Sequence, residues 1–239
     1  YTLHVNLKGK EAHGHDWPAG DTITLIVDDD TNPDNGYLYR QTKNADDDTS
    51  CGYPCFNLEG LFTLDVGQYV TMTDGSVSKT VHISNLHIDE VNVDDETVSG
   101  EAAPGSTVAV NLNSQGGNTR STTADVSTGY WLVDYKDEGD PGNDIANIAP
   151  GDGGRAIQLN GDGTDDGTLE YWSVPNPRFT VQADQNWVAG WEWTVGNTVT
   201  ISVYDDPDPG HEILYTDDTQ TVAGDGSFWL DVESIFDLL

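Results

Sequence analysis

Carboxylates in short glycine-rich loops are the residues of this chain best placed to do chemistry. Asn160-Gly161-Asp162-Gly163-Thr164-Asp165-Asp166-Gly167 alternates oxygen donors with glycines. Calcium takes several oxygen ligands, carboxylate and backbone carbonyl, from compact turns of this kind. Asp162, Asp165 and Asp166 are therefore candidate calcium ligands. Asp137, Asp140 and Asp144 make a second candidate loop, Asp28, Asp30 and Asp34 a third, and Asp205, Asp206 and Asp208 a fourth. The last two loops follow equivalent strands, which points to a shared role. The distal glutamate of an EF-hand is missing from the 160–167 loop. The competing reading is a solvated acidic surface, because 42 Asp and Glu residues will cluster by chance.

Tryptophans offer a second chemistry, the stacking of sugar rings. Trp187, Trp191 and Trp193 keep a period of two around Gly190, so an extended strand would put them on one side. Trp17 and Trp193 are equivalent by the repeat described below and read as structural. Trp131 and Trp229 sit in equivalent aromatic strands and read as core. That leaves Trp187 and Trp191 as the candidate ligand-binding pair. Imidazoles two apart in a strand also share a face, so His13 and His15 could hold a transition metal with one more ligand. Beside so much acid, a solvated strand edge is the reading preferred for them. Cys51 and Cys55 are close enough to bridge across a turn, and a disulfide is expected.

Catalysis finds no support. No serine sits in a nucleophile elbow, and no glycine-rich phosphate loop precedes a helix. Paired carboxylates decide nothing in so acidic a chain. With 9 Lys and Arg against 42 Asp and Glu, the formal net charge is −33. Such a surface repels nucleic acid and anionic membranes. It fits a salt-rich habitat, bound calcium, or the solubility of an exposed surface protein. No apolar run reaches transmembrane length. The chain starts directly in a strand pattern at Tyr1, as a processed mature protein would.

The elements that must carry these residues are announced by a threefold phrase, in which a glycine closes a turn and a β-branched strand follows. It reads Trp17-Pro18-Ala19-Gly20 with Thr22–Leu25, Ala103-Pro104-Gly105 with Thr107–Val110, and Trp193-Thr194-Val195-Gly196 with Thr198–Ile201. The glycines stand 85 and 91 residues apart. Each copy later reaches an aromatic run expected to form a strand: Leu61–Val66, Tyr130–Asp134 and Phe228–Val232. A repeat of this length means an array of similar modules. Period-2 strands, turn-forming Gly, Asp and Pro, and no helical period predict an all-β protein of tandem immunoglobulin-like β-sandwiches. Module boundaries are expected at 1–86, 87–175 and 176–239, the second module carrying a long acidic loop at 136–154. The third stops at Ile235-Phe236-Asp237-Leu238-Leu239, where its closing hairpin is due. Truncation explains that, or completion by a neighbouring subunit's strand, with Tyr1–Leu7 as the donor in a head-to-tail filament.

Val98-Ser99-Gly100-Glu101-Ala102-Ala103-Pro104-Gly105-Ser106-Thr107-Val108-Ala109-Val110, followed by Tyr130-Trp131-Leu132-Val133, resembles a bacterial immunoglobulin-like repeat. That family occurs in secreted adhesins and in spacer modules of large extracellular enzymes. The likeness is best in module two and weaker in modules one and three, and it brings no catalytic residues. It implies an extracellular or cell-surface location. The expected function is a structural or adhesive protein, a stalk, spacer or filament subunit, and not an enzyme. The alternative is carbohydrate binding through Trp187 and Trp191, with surface or matrix glycans as partners.

Overall fold

A computed structural model describes residues 1–31, 36–47, 54–113, 118–136, 145–204 and 213–231. The described residues are all-β apart from short 3-10 turns such as Ala183–Gln185. The strands are β1 (Thr2–Asn6), β2 (Glu11–His15), β3 (Thr22–Asp28), β4 (Tyr39–Asn44), β5 (Cys55–Asn57), β6 (Tyr69–Thr73), β7 (Ser78–His82), β8 (His87–Asn92), β9 (Thr97–Glu101) and β10 (Thr107–Leu112). They continue with β11 (Asn118–Thr123), β12 (Tyr130–Asp134), β13 (Gly153–Leu159), β14 (Gly167–Ser173), β15 (Arg178–Gln182), β16 (Trp187–Trp191), β17 (Thr198–Tyr204), β18 (Ile213–Thr221) and β19 (Phe228–Asp231).

The threefold phrase is a threefold turn. Gly20, Gly105 and Gly196 all have positive φ, at 82°, 77° and 80°. In each copy the residue after the glycine donates its N–H three residues back: Asp21 to Pro18, Ser106 to Ala103, Asn197 to Thr194. Glycine at the third position of such a turn is what the positive φ requires. The carbonyl of the residue after the glycine, Asp21, Ser106 or Asn197, then accepts from Ala45, Ala124 and Val222 respectively, each at 2.9 Å. One of the three aromatic runs departs from expectation. Residues 61–66 form no strand, because the Leu58 carbonyl accepts N–H bonds from both Leu61 and Phe62 and curls the chain. The strand in the corresponding place is β5, which pairs with β2 as β19 pairs with β16.

The chain divides into two compact units, Tyr1–Ser173 and Val174–Leu239, where the sequence leads one to expect three modules. In the first unit a seven-stranded sheet runs β11-β10-β13-β14-β1-β2-β5. One end is faced by the sheet β4-β3-β6-β7 through Leu3, Val5, Ala12 and Phe56 against Ile23, Leu25, Val27, Val70 and Met72. The third sheet, β12-β9-β8, is tied to the other end by Tyr135, whose hydroxyl donates to the Val110 carbonyl, and by Arg120, which donates to the Asp134 carbonyl. Two sandwiches thus share one sheet. The join is β1 against β14, parallel, with His4 opposite Gly167, Val5 opposite Thr168 and Asn6 opposite Leu169. Because β2 takes its other edge, the strand within Tyr1–Leu7 is internal, and donating it to another subunit would break two ladders. In the second unit β15-β16-β19 packs on β17-β18 through Val188, Val199, Val222 and Phe228.

Candidate functional site

Three histidines meet on one face of the seven-stranded sheet. The β1–β2 hairpin turns over Leu7–Lys10, with Gly9 N–H donating to the Asn6 side chain. Its register sets His4 opposite His13 and Thr2 opposite His15. His15 is two residues from His13, so all three imidazoles project the same way. Ring centroids are 5.4 Å (His4–His13), 5.7 Å (His4–His15) and 5.5 Å (His13–His15), with edge-on ring planes. One nitrogen from each ring lies within 4.8 Å of the other two. His13 is fully buried, His4 is 3% exposed and His15 is half-buried. The solvated edge expected for His13 and His15 is therefore corrected: β2 is paired on both sides, to β1 and β5.

Burial decides the charge of these rings. It pushes the His4 imidazole down to about 4 and His13 to about 3, and it lowers His15. The Arg155 guanidinium works in the same direction on all three, while Asp166 opposes it at His4 and Asp16 at His15. All three are neutral at pH 7, the form that ligates metals. The His4 Nε2 lies 2.8 Å from the Asp165 carbonyl, which can only accept, so that nitrogen carries the proton. His4 Nδ1, both nitrogens of His13 and Nε2 of His15 have no hydrogen-bond partner. His4 is the one of the three that the spacing of His13 and His15 does not reveal. Its signal was the hairpin itself, since a turn over Lys8-Gly9 between alternating runs places residue 4 opposite 13.

The expected calcium ligands fare differently. Asp166 is buried and its carboxylate is occupied by protein donors: Leu3 N–H at 2.6 Å, Lys79 Nζ at 2.9 Å and Thr164 Oγ1 at 2.8 Å. Asp162 accepts from the Thr164 hydroxyl and N–H, which holds its carboxyl below the usual range. Asp165 is exposed and contributes its carbonyl to His4. The 160–167 loop is thus a strut between β1, β7 and β14. Asp28, Asp29 and Asp30 bring carboxylates within 4.8 Å of one another at the end of β3. Asp34, Asp137, Asp140, Asp144, Asp205, Asp206 and Asp208 lie outside the described residues. So does Cys51; its expected partner Cys55 is buried opposite His13.

In the second unit Trp187 and Trp191 do share a face of β16, and Trp191 is 40% exposed. Trp229 joins them, a correction to its expected place in the core. It pairs opposite Ala189, between the other two, and is 56% exposed. The alternation of β19 buries Phe228 and Leu230 instead. Trp131 is buried as expected. Trp17 and Trp193 match bond for bond, the indole N–H donating at 3.0 Å to the carbonyl fifteen residues earlier, Thr2 and Arg178.

No protein-family model matches the chain, and no curated protein matches it. Among solved structures it is similar to a tetra-tandem repeat in the extending region of a large adhesion protein, at 14% identity and a TM-score of 0.25. The likeness covers 98% of this chain and 66% of that one, just under two thirds of its length. A likeness of that degree leaves function to rest on the chain itself. Among the described residues no helix is long and apolar enough to cross a membrane.

Proposed function

We propose that the chain is a load-bearing segment of an extracellular or surface protein, a stalk or spacer with adhesive use and not an enzyme. The observation that carries this reading is the parallel pairing of β1 with β14, the first and last strands of the 1–173 unit. Pulling the two ends of that unit apart slides parallel neighbours along their length, so the bonds of the seam must break together. An antiparallel hairpin pulled from its open end gives way one bond at a time. Asp166 reinforces the seam by holding the Leu3 N–H, and Lys8 pairs across it with Glu170 at 2.9 Å. The resemblance of module two to bacterial immunoglobulin-like repeats supports the same reading, as does a charge that keeps an exposed protein soluble.

Single-molecule pulling on the full chain tests it. The 1–173 unit is expected to unfold in one high-force step that releases roughly 600 Å of chain. Two weaker steps of about half that length would remove the basis for a mechanical role. A second reading is favoured by one specific observation, the three tryptophans on one exposed face. Carbohydrate rings would stack there, and a glycan array comparing the wild type with a W187A/W191A/W229A variant separates an adhesive lectin face from an inert spacer.

A further inference from the structure

We infer that His4, His13 and His15 form a binding site for one divalent transition-metal ion of the zinc class. This goes beyond the load-bearing reading and does not depend on it.

Three observations converge. The first is placement: the hairpin register gathers three imidazoles, with one nitrogen of each inside 4.8 Å of the others. Around a tetrahedral ion with Zn–N distances near 2.0 Å, ligand nitrogens stand roughly 3.4 Å apart. Side-chain rotation of under about 1 Å per ring closes that gap. The second is the set of unpartnered nitrogens. A buried polar atom without a partner is costly, yet His13 has two and His4 one, both rings being more than nine-tenths buried. Packing imidazoles edge to edge as mere core filler leaves that cost unanswered, and a metal ion takes one lone pair from each ring. The third is orientation. The Asp165 carbonyl fixes the proton of His4 on Nε2 and leaves Nδ1 bare. Backbone carbonyls commonly hold metal-ligating histidines in this way.

The donor set chooses the ion. Three neutral nitrogens suit zinc, copper or nickel, whereas calcium and magnesium require oxygen. Arg155 opposes any added positive charge here, while Asp16, Asp166 and the chain's net −33 favour it. Three protein ligands leave a fourth position open, and half-buried His15 marks the side nearest solvent.

The test uses the full chain, stripped with EDTA and titrated with cobalt(II) in high sodium chloride and excess calcium, so that acidic loops are screened and occupied. One equivalent is expected to bind with the intense visible bands of four-coordinate, nitrogen-ligated cobalt, and zinc is expected to displace it. His15→Ala removes the least buried ligand and is the variant least disruptive to folding. It should weaken binding by more than about 100-fold, the upper end of what losing a second-shell partner costs, with far-UV dichroism unchanged. His4→Ala should do the same. In the wild type, zinc should shift the imidazole NMR signals of all three histidines. Absence of cobalt uptake overturns the proposal. So does a pale octahedral spectrum that His15→Ala leaves unaltered, since that would mark cobalt held by carboxylates.

Discussion

A buried imidazole is tolerated only while it is neutral, and this sets a pH dependence for the metal-free chain. The folded-state values of His4 and His13, about 4 and about 3, lie below the unfolded value of 6.5. Between those values the unfolded chain binds more protons, so stability rises with pH. The contribution is complete above 6.5 and is lost as pH falls toward 4. For His4 alone the shift corresponds to roughly 3 kcal/mol, and the three rings do not add because they titrate as a coupled set. Melts of the EDTA-treated chain should be flat from pH 8 to 7 and fall between 6.5 and 5, above the range of ordinary carboxylates. A melting temperature unchanged down to pH 5 would contradict the burial of the trio. At this scale the sequence is half legible. The shared face of His13 and His15 can be read from their spacing. Their burial cannot, because it depends on β5 and on a β1 register set by the hairpin. Trp229 misleads for a related reason: an aromatic in a strand between two others reads as core, and only the alternation partner reveals which face it takes.

Local pattern is most legible at the level of the strand. Alternating β-branched runs give β10 and β17 with their starting residues, Thr107 and Thr198, intact, and the glycine turn before each is fixed by one positive φ. What stays hidden is pairing over distance. Nothing near residue 4 announces residue 167, so the parallel seam that fuses two sandwiches has no local signature. Close approach between strands is similarly silent until a glycine is examined in place. A Cβ on Gly100 would lie 1.9 Å from the His87 carbonyl oxygen and 2.9 Å from the Trp131 ring. The backbone of β8 cannot yield without breaking its ladder to β9. Gly100→Ala should therefore destabilise the 1–173 unit by about 3 kcal/mol, the upper end of what overpacking usually costs, read as a lower urea midpoint for that unit. Gly224, where a Cβ meets nothing within 4 Å, is the control, and its Ala variant should stay within about 0.5 kcal/mol of wild type.

Taken whole, the molecule carries a formal charge of −33 on 239 residues, and that charge works against its own compact state. Like charges crowd together on folding and spread apart on unfolding, so self-repulsion lowers stability wherever it is unscreened. Some of the acid is neutralised internally, as Asp166 is by Lys79 and Glu170 by Lys8. With only 9 Lys and Arg against 42 Asp and Glu, most of it has no cationic partner to find. The Debye length shrinks from about 10 Å at 0.1 M salt to about 3 Å at 1 M. Repulsion between neighbouring surface loops is suppressed over that range. Sodium chloride should therefore raise the melting temperature steadily up to molar concentration, the opposite of what a fold held by surface ion pairs would do. Calcium, the ion expected from the acidic loops, separates screening from site binding. At matched ionic strength it should raise the melting temperature above the sodium chloride value, because an ion held only by the folded state adds stability by mass action. Coincident melts at matched ionic strength would leave screening as the whole effect. A melting temperature that falls with sodium chloride would refute the self-repulsion account itself.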